Sequence, residues 1–271
     1  MATVLFRTGI LGLRATCKQD IRLSQTIRSF HSNFRTLNMA TVESYEIHYW
    51  PIHGRSDVSR MLLEAAGKPY KNVFIGSAEW ATLKKQQRFG HTPWLVVKYT
   101  DGTSKTLWEQ LAIDVYLAET FGFMPSTEAG EDEAFSRAFC VAHHTSWLEL
   151  SDKFGVAMGL PTLEERREQI NKLRNDVAPL HMSFHEKILA ESKGPFYYGE
   201  KPTLPDFMAL STYLRMEELL GECSHEQFPN LLKLNEAVLK VPHVADYVQK
   251  RRDFGVIRFD KDQLKGVPAK Q

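Results

Sequence analysis

Between Tyr45 and Trp50 apolar and polar residues alternate, Ile47 and Tyr49 against Glu46 and His48, which is the period of a strand. Pro51 and Gly54 interrupt it, and Val58, Met61, Leu62 and Ala65 then recur at helical spacing. PYKNVFI predicts a second strand, and SAEWATLKKQQ a short helix with Ser77 as its N-cap. FGHTPWLVVKY turns into an apolar strand from Trp94 to Val97. Asp101-Gly102 is a two-residue hairpin signal, after which the chain returns through Thr103 to Leu107. From Trp108 to Phe121 the period is helical again, with Leu111, Val115 and Ala118 on one face. The order βαβαββα predicts a small mixed sheet, with parallel strands joined through helices and a terminal hairpin.

From Thr127 onward the strand period disappears. Glu128 to Phe154 and Leu163 to Ser192 read as two long helices, and Thr203 to Leu220, Phe228 to Leu239 and Val244 to Arg251 as three shorter ones. Thr203-Leu204-Pro205-Asp206 has the spacing of a capping box. The Thr203 hydroxyl is expected to accept from the Asp206 N–H, and the carboxylate to reach back to the Thr203 N–H. Pro205 falls in the first turn, where its missing N–H costs little. The class is therefore an α/β domain over residues 44–121, a linker at Gly122 to Ser126, an all-helical domain over 127–252, and a Gly/Pro-punctuated surface tail over 253–271.

Composition changes this picture at one place. The net charge of +1 gives no reason to expect nucleic acid, and no apolar run is long enough to span a membrane. Residues 1–38, however, carry +5, which leaves −4 for the rest. An Arg-rich, acid-poor segment with Leu5, Phe6, Ile10, Leu13, Ile21 and Leu23 to form an apolar face has the character of a mitochondrial transit peptide; a disordered basic tail is the plainer alternative. Arg28 to Ser32 has the look of a processing site. Translation from Met39, which repeats the MATV of Met1, would give an untargeted, cytoplasmic product. Cys17, Cys140 and Cys223 show neither CxxC nor metal-ligand spacing, so no disulfide framework or metal site is indicated.

The chemistry gathers around the first strand. Tyr49 stands where the strand runs into a loop ahead of a helix N-terminus, with Arg55 in the same turn. A helix N-terminus presents unpaired N–H groups and suits an anion. A phenol and a guanidinium beside it would stabilise a thiolate, a phosphate or a carboxylate. A buried aromatic that closes a strand, next to a surface arginine, accounts for the same residues.

Several motifs in order then carry a resemblance over about residues 44–252. They are Tyr49-Trp50-Pro51-Ile52-His53-Gly54-Arg55; Trp80, Lys84 and His91-Thr92-Pro93 at their mutual spacing; Leu107-Trp108-Glu109-Gln110-Leu111-Ala112-Ile113; and Thr203-x-x-Asp206. Together they resemble the cytosolic-type glutathione transferases, most of all the sigma-like, tyrosine-dependent classes. The resemblance implies a thioredoxin-like domain that holds glutathione as co-substrate, without a metal, and a helical domain that covers a small hydrophobic electrophile. It also implies a two-fold homodimer.

Within that resemblance Tyr49 and Arg55 are the catalytic positions. A free thiol with a pKa of about 8.5 is only a few per cent ionised at neutral pH, and a phenol keeps its proton there and can donate to a thiolate. Trp80 and Lys84 are expected at the glycyl end of glutathione, Lys84 otherwise being a solvated lysine like Lys85. Thr92, before a cis Pro93, is expected to pair its backbone with the cysteinyl segment, with His91 beside it; a trans proline at a strand edge is the alternative. Glu109 and Gln110 are expected at the γ-glutamyl group. Gln110 replaces the family's small hydroxyl, His91 stands where lysine is common, and His143-His144 occupies the place of an acidic residue. The electrophile pocket is expected to draw on Ser146, Trp147 and Phe154. A non-catalytic binding or structural subunit is the alternative function, and a cysteine-type oxidoreductase is disfavoured because the catalytic position is tyrosine.

Overall fold

The computed structural model describes residues 40–127, 132–220 and 227–251. The proposed presequence, Cys17, Cys223, the start of the first long helix at Glu128 and the tail lie outside the described residues. Val42 begins one compact unit. Its first half runs β1 (Val42–Tyr49), α1 (Asp57–Ala65), β2 (Tyr70–Phe74), α2 (Ser77–Gln86), β3 (Trp94–Tyr99), β4 (Ser104–Trp108) and α3 (Gln110–Phe121). The sheet order is β2-β1-β3-β4. β1 pairs parallel with β2, Tyr45 opposite Tyr70, and antiparallel with β3, Ile47 opposite Leu95; β3 and β4 form the hairpin.

The alternation in β1 explains which face is covered. Tyr45, Ile47, Tyr49, Leu95 and Val97 are buried and share one cluster with Val58, Met61 and Leu62 of α1 and Ile113 and Leu117 of α3. Full burial of a Leu or Met side chain contributes about 1.5–3 kcal/mol, so this face fixes the register of β1 against slippage. On the opposite face His48 stacks on Trp94 at 4.9 Å and Glu46 pairs with Lys98 at 2.7 Å.

Two boundaries differ from the sequence reading. The N-cap of α2 is Gly76, not Ser77, because the Glu79 carboxylate accepts from the Gly76 N–H at 3.2 Å. α3 starts at Gln110 rather than Trp108, because Trp108 stays in the ladder opposite Trp94 and Glu109 turns the chain at φ +70°.

The second half contains α4 (Glu133–Met158), α5 (Leu163–Lys172), α6 (Ala178–Ala190), α7 (Leu204–Leu220), α8 (Pro229–Leu239) and α9 (Val244–Lys250). Asp132 caps α4 by accepting from the Phe135 N–H, and Thr162 and Glu165 form a reciprocal capping box on α5. The helix expected from Leu163 to Ser192 is divided by a π turn at Leu173–Val177. Pro179 follows that turn, and the wider turn absorbs the backbone bond that a proline cannot make. At the start of α7 the Asp206 carboxylate accepts from the Thr203 N–H at 2.6 Å, as expected. The Thr203 hydroxyl, however, donates to the same carboxylate at 2.7 Å instead of accepting from the Asp206 N–H, which is 3.0 Å from the Thr203 carbonyl. Cys140 is buried and its thiol is pushed up to about 12 by burial, which leaves it an inert apolar residue.

A buried polar network ties the halves together at the first turn of α1. The fully buried Asp57 carboxylate accepts from Ser211 of α7 at 2.7 Å, from Tyr247 of α9 at 2.6 Å, and from Arg251. Arg251 also reaches Glu218 at 2.8 Å, and Glu218 pairs with His53 at 2.9 Å. Burial pushes the Asp57 and Glu218 carboxyls up, but Arg251, His53 and the hydrogen bonds outweigh it. Asp57 is held below the usual carboxylate range and Glu218 at about 2. The helix that follows the Tyr49 loop is thus anchored from two helices of the helical half, α7 and α9 with its C-cap Arg251.

Candidate active site

Sheet topology determines what meets at the site. β1 ends at Tyr49, β3 begins at Trp94 beside it, and β4 ends at Trp108 opposite Trp94. The end of β1, the start of β3 and the entry to α3 therefore lie along one end of the sheet. The residues singled out at Tyr49, at Thr92-Pro93 and at Glu109-Gln110 share that end although they are spread along the chain.

The loop after β1 is held by the fully buried Arg60, whose guanidinium donates to the carbonyls of Ile52 at 3.0 Å and His53 at 3.2 Å and to the Asn72 side chain at 2.8 Å. Gly54, at φ +44°, then lets the chain pass over the Tyr49 ring; a Cβ there would lie 2.7 Å from the Tyr49 hydroxyl. This close approach places the Arg55 backbone N–H 3.1 Å from that hydroxyl, to which it donates. Among the described residues this N–H is the hydroxyl's one hydrogen-bond partner. The phenol accepts in this bond, so its own proton is uncommitted.

The Arg55 side chain turns the other way and pairs with Asp152 of α4 at 2.7 Å. That pair is half exposed. Tyr49 and Arg55 line a cavity of about 600 Å³ between the strand-bearing and helical halves. Its remaining walls come from the loop Trp50–His53, from Ile75, Gly76 and Ser77 before and at the start of α2, from Phe154, Gly155, Val156 and Met158 of α4, and from Arg215 and Leu219 of α7. The surface is mostly apolar, with a phenol, a serine and charged groups at defined places, the composition expected of a small-molecule site.

The other candidates are not among the residues that line this cavity. Trp80 packs edge-on against Trp50 at 5.7 Å between ring centres. Lys84 is exposed, with its stem beside Gly90. The Thr92–Pro93 bond is cis and Pro93 is buried. His91 and Glu109 are exposed and face each other at 3.4 Å. Gln110 is buried and its amide oxygen has no partner among the described residues. A buried acceptor without a donor is costly in an isolated protein and suits a ligand N–H.

Two sequence expectations are corrected, those for Ser146 and Trp147. Of Ser146, Trp147 and Phe154, only Phe154 lines the cavity. Trp147 donates to the Tyr197 hydroxyl at 2.7 Å inside the helical half, and Ser146 is 3.0 Å from His185. His143 and His144 diverge. His143 is 3.2 Å from the Tyr198 hydroxyl, while the fully buried His144 is 3.5 Å from Asp114, which accepts from Ser59 at 2.5 Å. Asp152 and Arg215 were missed. The available signal was a single basic residue inside the long uncharged run of α7, PheMetAlaLeuSerThrTyrLeu before Arg215.

The model of the glutathione S-transferase C-terminal domain matches residues 149–251. The class-mu 28 kDa glutathione S-transferase isozyme of Schistosoma haematobium is 26% identical over 214 residues, covering 78% of this chain and 97% of that protein. S-crystallin 3 of Enteroctopus dofleini is 26% identical over 219 residues, covering 77% and 97%. The solved structure of the Fasciola hepatica sigma class glutathione transferase superposes with a TM-score of 0.68 at 21% identity, covering 80% of this chain and 99% of that one. Sheet order, helical half, family model and relatives agree: residues 149–251 match the glutathione S-transferase C-terminal domain, and the chain as a whole is similar to glutathione S-transferases.

Proposed function

We propose that this protein is an active glutathione S-transferase that holds the thiol of glutathione as its thiolate for attack on electrophiles. The observation that carries the reading is the Tyr49 hydroxyl, which opens on the cavity and accepts from Arg55 while its own proton is uncommitted. A hydrogen-bond donor aimed at a sulfur favours the anion over the neutral thiol. Lowering a thiol pKa by two units takes about 2.7 kcal/mol. One phenol donor at about 1.5–3 kcal/mol to a charged acceptor supplies most of it. The Arg55 N–H orients the phenol, and the Arg55 guanidinium, half neutralised by Asp152, adds positive potential at the cavity mouth.

The tripeptide fits the end of the sheet. Thr92 supplies backbone groups before the cis proline, the Gln110 amide oxygen is a ready acceptor for the γ-glutamyl ammonium, and the N-terminus of α3 suits its carboxylate. Glu109 and His91 border that position, and Trp80 and Lys84 the glycyl end. The deciding experiment is retention on immobilised glutathione followed by conjugation of chlorodinitrobenzene. Retention without turnover of any electrophile tried would leave the second reading, a non-catalytic subunit, which the S-crystallin similarity supports.

A two-fold dimer accompanies this proposal. Phe89 and the stacked pair Phe135 and Phe139 are exposed aromatics that a second copy would cover. A monomer mass in light scattering at micromolar concentration would exclude it. The basic segment 1–38 is proposed to direct the chain to mitochondria; an intact Met1 on protein isolated from mitochondria would count against that.

A further inference from the structure

Arg215 differs from the other cations near the cavity. Arg55 is paired with Asp152, and Arg251, behind the wall, is paired with Asp57 and Glu218. Arg215 lines the cavity with one amino group tied to Ser151, donating to its hydroxyl at 2.7 Å and its carbonyl at 3.2 Å. No carboxylate of the described residues lies within 4 Å of it. Burial pushes its guanidinium pKa down, and Tyr49, Asp57 and Asp152 pull it back without pairing with it. Arginine does not escape such a position by losing its proton. The result is a fixed, largely desolvated positive charge, positioned by Ser151, in a cavity whose apolar walls include Ile52, Phe154, Val156, Met158 and Leu219 and whose one carboxylate among the described residues, Asp152, is paired with Arg55.

A guanidinium in that setting discriminates between ligands by charge. Its planar fork matches a carboxylate, and the apolar walls strengthen the pairing relative to water. We propose that Arg215 makes this cavity selective for apolar electrophiles that carry a carboxylate, which it binds while the Tyr49 end holds the sulfur. The proposal rests on the transferase reading above, and it names a substrate class for the same site. Its rival is that Arg215 acts on the thiolate itself, which would help every electrophile equally.

A matched pair of substrates separates the two. Chlorodinitrobenzoate, with chlorine para to the carboxylate, and its methyl ester present the same reacting carbon. In both, the thiolate forms the S–C bond, chloride leaves with the C–Cl electron pair, the thiol proton passes to solvent, and the carboxyl group is unchanged. The readout is the ratio of kcat/KM for acid over ester. Arg215→Gln is expected to lower that ratio about ten- to a hundredfold, the range of a charge-assisted hydrogen bond. Arg215→Lys, which keeps the charge without the fork, is expected to recover part of it. An unchanged ratio in Arg215→Gln, whether or not both rates fall, overturns the proposal. If the wild type turns over neither compound, the transferase reading is still decided with chlorodinitrobenzene, and calorimetric binding of dinitrobenzoate and its methyl ester decides this proposal separately. A preference for the acid that Arg215→Gln abolishes sustains carboxylate recognition, and absence of a preference overturns it.

Discussion

Tyr49 and Tyr197 are both buried, at 6% and 8% exposure, and both sit among polar partners, yet of the two Tyr49 alone lines the cavity of about 600 Å³. The Tyr197 hydroxyl accepts from the Trp147 indole N–H at 2.7 Å and lies 2.5 Å from His185 Nδ1. An indole N–H is a donor only, so the Tyr197 hydroxyl accepts from Trp147; when the imidazole carries its proton on Nε2, facing Ser146 at 3.0 Å, the phenol proton has Nδ1 as its acceptor. With Nε2 protonated, the serine beside this histidine is not a nucleophile beside a base. At Tyr49 the single partner is itself a donor, and the proton remains available. Burial and aromatic neighbours do not distinguish the two tyrosines. What marks a site is unspent hydrogen-bonding capacity facing a space that a ligand can enter.

The largest effect expected is on the turn that carries Tyr197. A Cβ on Gly194 would lie 2.2 Å from the Gly199 carbonyl oxygen, and backbone cannot swing aside as a side chain does. Gly194→Ala should cost about 3 kcal/mol or more, read in urea unfolding. Its turnover per folded molecule should stay within about twofold of wild type, because the clash is in the helical half and touches no cavity residue. Loss of turnover without loss of stability would show that the two tyrosines are coupled.

The direct contrast is the pair Tyr49→Phe and Tyr197→Phe. Tyr49→Phe should keep stability and most glutathione affinity and lower the conjugation rate near neutral pH about ten- to a hundredfold. The defect should shrink as pH rises toward the unassisted thiol pKa, where solvent supplies the thiolate. Tyr197→Phe should do the reverse. It strands the Trp147 donor and the His185 acceptor, at a cost of about 1–3 kcal/mol in stability. Equal rates for Tyr49→Phe and wild type at every pH would remove Tyr49 from the mechanism.

The same contrast has a pH signature. Burial lowers the His185 pKa to about 3. In the unfolded chain a histidine titrates at about 6.5. Between these values the unfolded state binds the extra proton, so this residue makes the fold lose stability as pH falls from about 6.5 toward 3, with a slope of at most ~1.4 kcal/mol per pH unit. Asp206, pushed up to about 7 by burial, acts in the opposite sense over much of that range. The measurement is therefore the difference between wild type and His185→Gln, whose stability should fall less steeply with acid. Parallel curves would mean that His185 is not held neutral.

Much of this architecture was readable before the structure. The alternation of Ile47 and Tyr49, the Asp101-Gly102 turn and the helical periods specify βαβαββα because each is a local signal with a local cause. The errors fell where a nonlocal partner decides. Trp108 reads as helical, but the ladder opposite Trp94 keeps it extended. Thr203 was expected to accept, but a buried carboxylate takes its proton. Tyr49 and Arg55 were legible as a motif because one turn brings them together. Asp152 and Arg215 were not, because nothing in the spacing of α4 and α7 says which face meets the end of the sheet.

The smallest expected effect is on the ion pair between Arg55 and Asp152, whose side chains are 46% and 39% exposed. Pairs with that much solvent contribute about 0–1 kcal/mol, so Asp152→Asn should scarcely move the unfolding midpoint. In the cavity the change is asymmetric: it removes a negative charge near the place proposed for the thiolate and leaves the guanidinium unpaired. The conjugation rate below the thiol pKa should rise by less than about threefold, and the gain should disappear in high salt, because exposed charges are screened over about 8–10 Å. A tenfold fall instead would mean that Asp152 holds Arg55 in the geometry the reaction needs. The open site would then be as rigidly organised by its ion pair as the Tyr197 cluster is by its hydrogen bonds, and the contrast between the two tyrosines would reduce to the cavity alone.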